Sequence, residues 1–360
     1  MSRSRKIVWI ALIVIAAVIK LFSFFPGAVE RTYSMGLYLL IARLQRILFG
    51  WMPFSIGDIF YAAVTIWLLV GLFSLIRRIV RRQANGSYFL SVSRQWIFAF
   101  LLLYVVFNLL WGLNYDRKGI ADQLQLQVRP YSNAELTDLL QVIVTRLNGL
   151  DSAALQNRPS LDNRQVLFGQ AAKSYSNLAA LDPRFAYPSP SVKASLFSCL
   201  GNYLGFSGYY NPFSGEAQVN VNMPGFTQPY TTCHEIGHQM GYAKENEANF
   251  AGYLSARSST DPTFRYSVYF DLYIYASREL YLRDSNLVKP LRAQLHPRIL
   301  QDFRELQQFL KKYRNPLEPL IAGLYGRYLR ANRQPQGIRT YNEVIAWLIA
   351  YYKKNGASAV

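Results

Sequence analysis

The chain is poor in charge, in histidine and in cysteine. Only 17% of its 360 residues are charged, while 51% are hydrophobic. Soluble globular proteins average about 25% charged residues, so the deficit points to membrane segments joined to a soluble part. Acidic residues are scarcest, 21 against 39 basic, which leaves a net charge of +18. A nucleic-acid partner is one reading of such a surplus. No nucleic-acid motif accompanies it, however, and much of the basic charge flanks apolar runs, where it serves membrane orientation and contact with anionic headgroups. The expected partner is therefore a lipid bilayer and not nucleic acid. The two cysteines, Cys199 and Cys233, form no C-x-x-C motif and allow one disulfide at most. There is no internal repeat and no low-complexity tract.

The scarcity of histidine makes its placement informative. Two of the three histidines lie in His234-Glu235-Ile236-Gly237-His238. With so few, a chance H-E-x-x-H is expected on the order of once in a thousand such chains. On a helix His234 and His238 stand one above the other on one face, where two neutral imidazoles can grip one Zn²⁺. Glu235, beside them, is placed to handle the proton of an activated water. The plain alternative is a surface helix that happens to carry two histidines.

The apolar runs come first in the chain. A basic head, Ser2 to Lys6, precedes Ile7 to Phe25, which reads as an uncleaved membrane anchor. The region 33–50 mixes Arg43 and Arg46 with apolar residues, as in an interfacial amphipathic helix or one packed on the spans. Ile59 to Ile76 and Trp96 to Leu113 read as second and third spans, the last rimmed by Trp96, Trp111 and Tyr115. The basic head and the Arg-rich loop 77–94 belong in the cytoplasm by the positive-inside rule. Everything from Asn114 onward is then expected outside it, which gives a membrane region 1–113 and an extracytoplasmic domain 114–360.

Beyond Arg117 the composition is that of a soluble domain. Ser132 and Glu135 form a capping box ahead of Leu139, Leu140, Ile143, Val144 and Leu147 at helical spacing. A second helix is expected at Arg164 to Ala180, closed by Leu181-Asp182-Pro183. Two short strands are expected around the Asn211-Pro212-Phe213-Ser214-Gly215 turn, the second a half-buried edge strand, Gln218 to Asn222. An edge strand just before a metal helix can pair with an extended peptide. The remainder reads as helical, with segments at Tyr266–Tyr281, Arg304–Tyr313 and Tyr341–Tyr352. The fold class is thus mainly α, with membrane helices followed by a mostly helical α+β domain carrying a small hairpin or sheet.

A catalytic zinc site takes three protein ligands. Gly241 is a natural stop for the first helix, and Tyr242-Ala243-Lys244-Glu245-Asn246-Glu247-Ala248-Asn249 opens another. Glu245 is the favoured third ligand and Glu247 the alternative, because residues two apart face different sides of a helix. Asn249, four residues after Glu245, is a candidate to hold the ligating carboxylate or an imidazole. A solvated pair of acids at a helix N-terminus is the plain alternative. H-E-x-x-H followed by E-x-E-A-N resembles the gluzincin group of zinc metallopeptidases, in which the first Glu of the second pattern binds the metal. That resemblance implies a zincin-like domain with Glu245 as ligand. A resemblance covering nearly the whole chain, through Trp111-Gly112-Leu113-Asn114-Tyr115, the stretch from Gly208, the H-E-I-G-H helix and Tyr328-Leu329-Arg330-Ala331-Asn332, is to a family of bacterial membrane proteins of unknown function. It implies a multi-pass protein of the bacterial cytoplasmic membrane.

The expected function is a membrane-anchored, zinc-dependent metallopeptidase acting on an envelope protein or peptide. The alternative is a metal-binding scaffold without turnover. An intramembrane site is disfavoured by the polar flanks Gln228 to Thr232 and Lys244 to Glu247, which are costly in lipid. His296, Tyr269, Tyr273 and Arg278 are candidates to stabilise an oxyanion. Substrate and oligomeric state are not legible.

Overall fold

The computed structural model describes residues 2–335 and 343–360. Helix α1 (Arg3–Phe22) starts at the Ser2 cap and is followed, after a break, by a π-helical stretch Val29–Leu37 that runs into α2 (Tyr38–Phe49). Helices α3 (Ile56–Val80) and α4 (Gly86–Leu110) come next. Both are long and apolar enough to cross a membrane, and none of the apolar window of α3 is buried within the protein. The N-terminal anchor expected at 7–25 is less simple. Helix α1 qualifies as a span only together with Pro26–Phe49, and that pair is bent by 97°. The described residues therefore hold two such helices, or three if the bent pair counts as one. Lys20 near the end of the apolar run and the break before Pro26 explain the difference.

The region 33–50 does not lie apart as a free interfacial helix. Tyr33, Tyr38, Ala42, Gln45 and Arg46 are buried, while Leu40, Leu44 and Ile47 on the other side are exposed. One face is held by the protein and the other is left apolar and open. The third span also ends earlier than expected. It stops at Leu110, and Trp111, Gly112 and Leu113 turn away into the core in a short 3₁₀ segment, Gly112–Asp116. The indole N–H supplies the reason. Trp111 Nε1 donates to the His238 carbonyl at 3.2 Å, a partner the lipid could not offer.

Helix α5 (Asn133–Asn157) begins with the Ser132–Glu135 capping box, and the five apolar residues spaced along it are all buried. Helix α6 (Arg164–Leu181) follows, with Asn163 capping its first turn. A three-stranded sheet is then built from β1 (Val192–Ala194), β2 (Gly208–Asn211) and β3 (Glu216–Val219), with helix α7 (Ser198–Leu204) between β1 and β2. The strand order is β1-β3-β2. β3 pairs parallel with β1, Lys193 opposite Gln218, and antiparallel with β2, Tyr209 opposite Gln218. Two expectations are corrected here. The second hairpin strand covers 216–219 rather than 218–222, and it is central and wholly buried rather than a half-buried edge. β1, too short to read from its pattern, flanks β3 on one side and β2 flanks it on the other, and among the described residues no further strand pairs with the outer edge of β2.

β3 also ties the sheet to the membrane. The Glu216 carboxylate accepts from the backbone N–H groups of Ile56 (3.2 Å) and Gly57 (2.7 Å), which have no partner in the first turn of α3. Asp58, one residue on, accepts from Leu196 N and Tyr209 Oη. Gly57 has to be glycine, since a Cβ there would lie 2.5 Å from Asn211 Nδ2.

The remaining helices are α8 (Gln228–Gln239), α9 (Glu245–Arg257), α10 (Pro262–Arg283), α11 (Ser285–Ala293), α12 (Pro297–Tyr313), α13 (Glu318–Ala331) and α14 (Glu343–Asn355). Residues 341 and 342 of the last expected helix lie outside the described residues. The main core is built where α10 packs on α5 and where α8 packs on α9. A second core joins α1, the π-helical stretch and α4 to Trp111, Tyr115 and Tyr210. A buried ion pair closes that second core. Arg117 meets the Glu30 carboxylate twice, Nε to Oε2 and Nη2 to Oε1, each at 2.8 Å. Breaking a buried pair leaves one charge uncompensated and costs about 3–5 kcal/mol. A Glu30→Ala variant is expected to lose stability on that scale, as a large drop in melting temperature of the detergent-solubilised full chain. A shift of less than 1 °C would show that water replaces the pair.

Candidate metal centre

Helix α8 carries the site because its sequence starts and stops it cleanly. Pro229 sits in the first turn, where its missing N–H is harmless. Gly241 ends it with φ +85°, and a Cβ there would lie 2.8 Å from the Tyr38 ring. Only glycine meets both demands. Within the helix the two imidazoles stack edge to face, 4.7 Å between centroids. His238 Nδ1 lies 2.8 Å from the Tyr242 carbonyl. A carbonyl can only accept, so Nδ1 carries the proton and Nε2 is left as a free donor atom for a metal.

Gly241 turns the chain back, and α9 starts on Glu245. Its Oε2 lies 3.3 Å from His234 Nε2 and 3.6 Å from His238 Nε2. Two donors on one tetrahedral zinc, each about 2.0–2.1 Å from it, are about 3.3 Å apart. Both contacts of Glu245 Oε2 therefore have the spacing expected between ligands of one ion. The other oxygen, Oε1, accepts from Tyr325 Oη at 2.6 Å, and the Glu245 amide donates to Gln334 Oε1 at 2.9 Å. Glu247 points elsewhere. A Cβ on Gly119 would run into its Oε1, and its nearest cation is Lys244 at 3.4 Å. Asn249 accepts from Tyr230 Oη, and among the described residues no side-chain hydrogen bond joins it to Glu245 or to either imidazole.

His234, Glu235 and His238 also form a buried group whose donor atoms lie within 4.8 Å of one another and could hold a metal ion. Glu235 differs from Glu245 in its surroundings. Glu235 Oε2 is buried with no hydrogen-bond partner. Burial raises its carboxyl to about 7, partly offset by the two histidines and reinforced by Glu245. β2 passes against it so closely that a Cβ on Gly208 would lie 2.5 Å from its Oε1. A carboxyl near neutrality, unpaired and beside two imidazoles is chemically a proton carrier. For His238, burial disfavours the imidazolium, but the Glu245 carboxylate outweighs it and lifts the group to about 9. A metal ion bound there must displace that proton.

The site opens into a cavity of about 1140 Å³. Its walls come from the whole chain: Tyr104 and Phe107 of α4, Phe206 and Tyr210 around β2, Asp271 and Tyr275 of α10, and Tyr325 of α13. Most of these escaped sequence reasoning, since 26 tyrosines give no local signal for the few that meet in one cavity. The available pointers were the Trp111–Tyr115 stretch, the stretch from Gly208 and Tyr328–Asn332, each of which gives residues to the wall. The four residues expected to stabilise an oxyanion do not line the cavity. His296 instead pairs with Asp151 at 2.9 Å, Arg278 is exposed, and Tyr269 and Tyr273 are buried in the main core. The cysteines form no disulfide. Cys199 is exposed, whereas Cys233 is buried against Ser255, and burial pushes its thiol up to about 12.

A helical membrane-associated chain with a small sheet and a buried histidine–glutamate cluster is the class so defined. The chain belongs to the family described as protein of unknown function (DUF3810), whose model matches residues 33–349. No curated protein and no solved structure matches it significantly.

Two measurements check the centre. Elemental analysis of the purified full chain is expected to find about one metal ion per chain, lost in His238→Ala and Glu245→Gln and kept in Glu247→Gln. Retention in Glu245→Gln with loss in Glu247→Gln would reverse the assignment. The metal-stripped protein should also lose stability as pH rises. Raising His238 from 6.5 to about 9 adds stability that is complete below 6.5 and lost through about 9. Raising Glu235 from 4.5 to about 7 makes its ionised form unfavourable in the fold, a cost that sets in between those values. Both act in one direction, so the melting temperature should fall between about pH 5 and pH 9. A flat or rising profile would contradict the buried ion pair.

Proposed function

We propose that this protein is a membrane-anchored zinc metallopeptidase with its site in a zincin-like domain on the extracytoplasmic side. The observation that carries the reading is the convergence of Glu245 Oε2 on both Nε2 atoms, beside a buried unpaired Glu235 carboxyl and under an open strand edge. Two imidazoles and one carboxylate are a donor set that suits zinc. Zinc held by His234, His238 and Glu245 supplies Lewis acidity, which acidifies a water molecule and polarises the scissile carbonyl.

The chain's own residues do the rest. Glu235 takes the proton of the attacking water and delivers it to the leaving amine. Tyr325 holds Glu245 by its second oxygen, and the Tyr242 carbonyl fixes the His238 tautomer. β2 offers the substrate a backbone to pair with. Asn220 N donates to Ser207 O at 2.8 Å, which marks 207 and 220 as a hydrogen-bonded pair in the ladder. Antiparallel alternation then turns the N–H and C=O groups of Gly208 and Tyr210 outward. An extended peptide paired there lies alongside Glu235.

A Glu235→Gln protein should bind zinc normally and lose about 10²–10⁴-fold in turnover, the usual contribution of a general base. The assay is cleavage of envelope-derived peptides by the zinc-loaded full chain, followed by mass spectrometry. Equal cleavage by both proteins would sink the reading. Zinc binding with no cleavage by either, together with wild-type function of Glu235→Gln in cells, would favour the metal-binding scaffold instead.

A further inference from the structure

The cavity differs in its ionisable residues from the basic protein around it. The chain has 39 lysines and arginines against 21 acids, yet among the described residues no lysine or arginine lines the cavity. Four carboxylates do: Glu235, Glu245, Asp271 and Glu318. Glu235 and Glu245 belong to the metal centre, and Glu318 sits exposed at the rim. Asp271 is left without a task. It stands on α10, one turn before Tyr275, on the same face. The Tyr275 hydroxyl feels both Asp271 and Glu245, so the unexplained carboxylate lies a single tyrosine away from the metal ligands.

The Asp271 side chain makes no hydrogen bond or ion pair among the described residues. Its surface is only partly covered, as befits a residue lining an open cavity. Desolvation alone nevertheless raises its carboxyl to about 7, and no counter-charge offsets the burial. An isolated carboxylate in such surroundings is costly until a cation joins it. A second polar group nearby is also unsatisfied. Asn249 lines the same cavity, is 2% exposed, and has a buried Nδ2 with no partner. Tyr230 links the two: it bonds Asn249 and lies in the field of Asp271. The cavity thus offers one unpaired acceptor with a negative charge and one unpaired donor.

We propose that Asp271 and Asn249 form a substrate subsite for a basic residue, resting on the peptidase reading for the chemistry beside it. Asp271 receives the ammonium or guanidinium of a lysine or arginine side chain, and Asn249 Nδ2 donates to a carbonyl of the peptide. The apolar walls contributed by Tyr104, Phe107 and Phe206 take the neighbouring side chains. The substrate class is then a peptide segment pairing a basic residue with apolar ones, the pattern of a chain leaving a bilayer.

The test measures binding apart from turnover. Dansyl-capped alanine-rich peptides carry one lysine at each position in turn, with matched series in norleucine and in glutamate. Their affinities for the full-length zinc-loaded Glu235→Gln protein in detergent are read by fluorescence anisotropy. At one position lysine should bind about tenfold tighter than norleucine, with glutamate weakest. Asp271→Asn in the same background should bring lysine and norleucine within about twofold, with its melting temperature checked alongside. No lysine preference, a preference unchanged in Asp271→Asn, or no binding by any peptide would overturn the subsite. Wild-type cleavage of the same peptides separates the two ideas. Cleavage without lysine preference leaves the peptidase standing and removes the subsite, whereas preference without cleavage does the reverse.

Discussion

The last turn of α8 ends on carbonyls that have no partner within the helix. Gly241 N donates to His238 O at 3.0 Å just past its end, and side chains from the first 111 residues supply the further donors. Trp111 Nε1 donates to His238 O, Tyr38 Oη to Gln239 O at 2.8 Å, and Arg46 Nη1 to Gln239 O at 3.3 Å. Just beyond, Arg117 Nη1 donates to Gly241 O at 3.0 Å while its other nitrogens hold Glu30. Unmet carbonyls at a buried helix end are expensive. The position of the second histidine therefore depends on α2, on the turn after α4, and on the buried arginine. The first 113 residues form the wall on which α8 rests.

The same dependence runs through the sheet. Glu216 caps the N-terminus of α3, Asp58 of that helix ties back to Leu196 and Tyr209, and Gln239 reaches Ser191 and Gly215 with its amide. A three-stranded sheet of such short strands has little stability of its own. It persists because α8 covers it on one side and the start of α3 on the other. The open edge of β2 is consequently held against Glu235 by contacts that reach the spans, and Gly208 allows the approach. The packing of the apolar helices and the shape of the site are one problem in this protein, and changes in α2 or at Trp111 are changes to the site.

Legibility followed the range of the interaction. The capping box at Ser132, the five apolar positions of α5, the Gly241 stop and the stacking of His234 on His238 are all matters of spacing within one helix, and each was readable. The hairpin around Asn211–Gly215 was readable from its turn residues, although its second strand sits two residues earlier and lies in the middle of the sheet. β1 was invisible, because three residues carry no periodicity. Spans were readable as apolar runs, but their ends were not. Trp111 looked like an interfacial belt residue and is in fact a hydrogen-bond donor to the metal helix.

By itself the sequence determined the pair of imidazoles, the carboxylate between them, the turn that ends their helix, and the apolar helices that bring the chain to a membrane. The metal-site features follow from backbone geometry over fewer than about ten residues, and the apolar helices from runs of about 20. Tertiary structure decided the rest. It brought Glu245 rather than Glu247 within 3.3 Å of an imidazole. It sent His296 and Arg278 away from the site and gathered Tyr325, Tyr275 and Asp271 around it from two distant helices. Those choices depend on how helices far apart in the chain pack and on which buried polar groups find partners, and no local pattern encodes either.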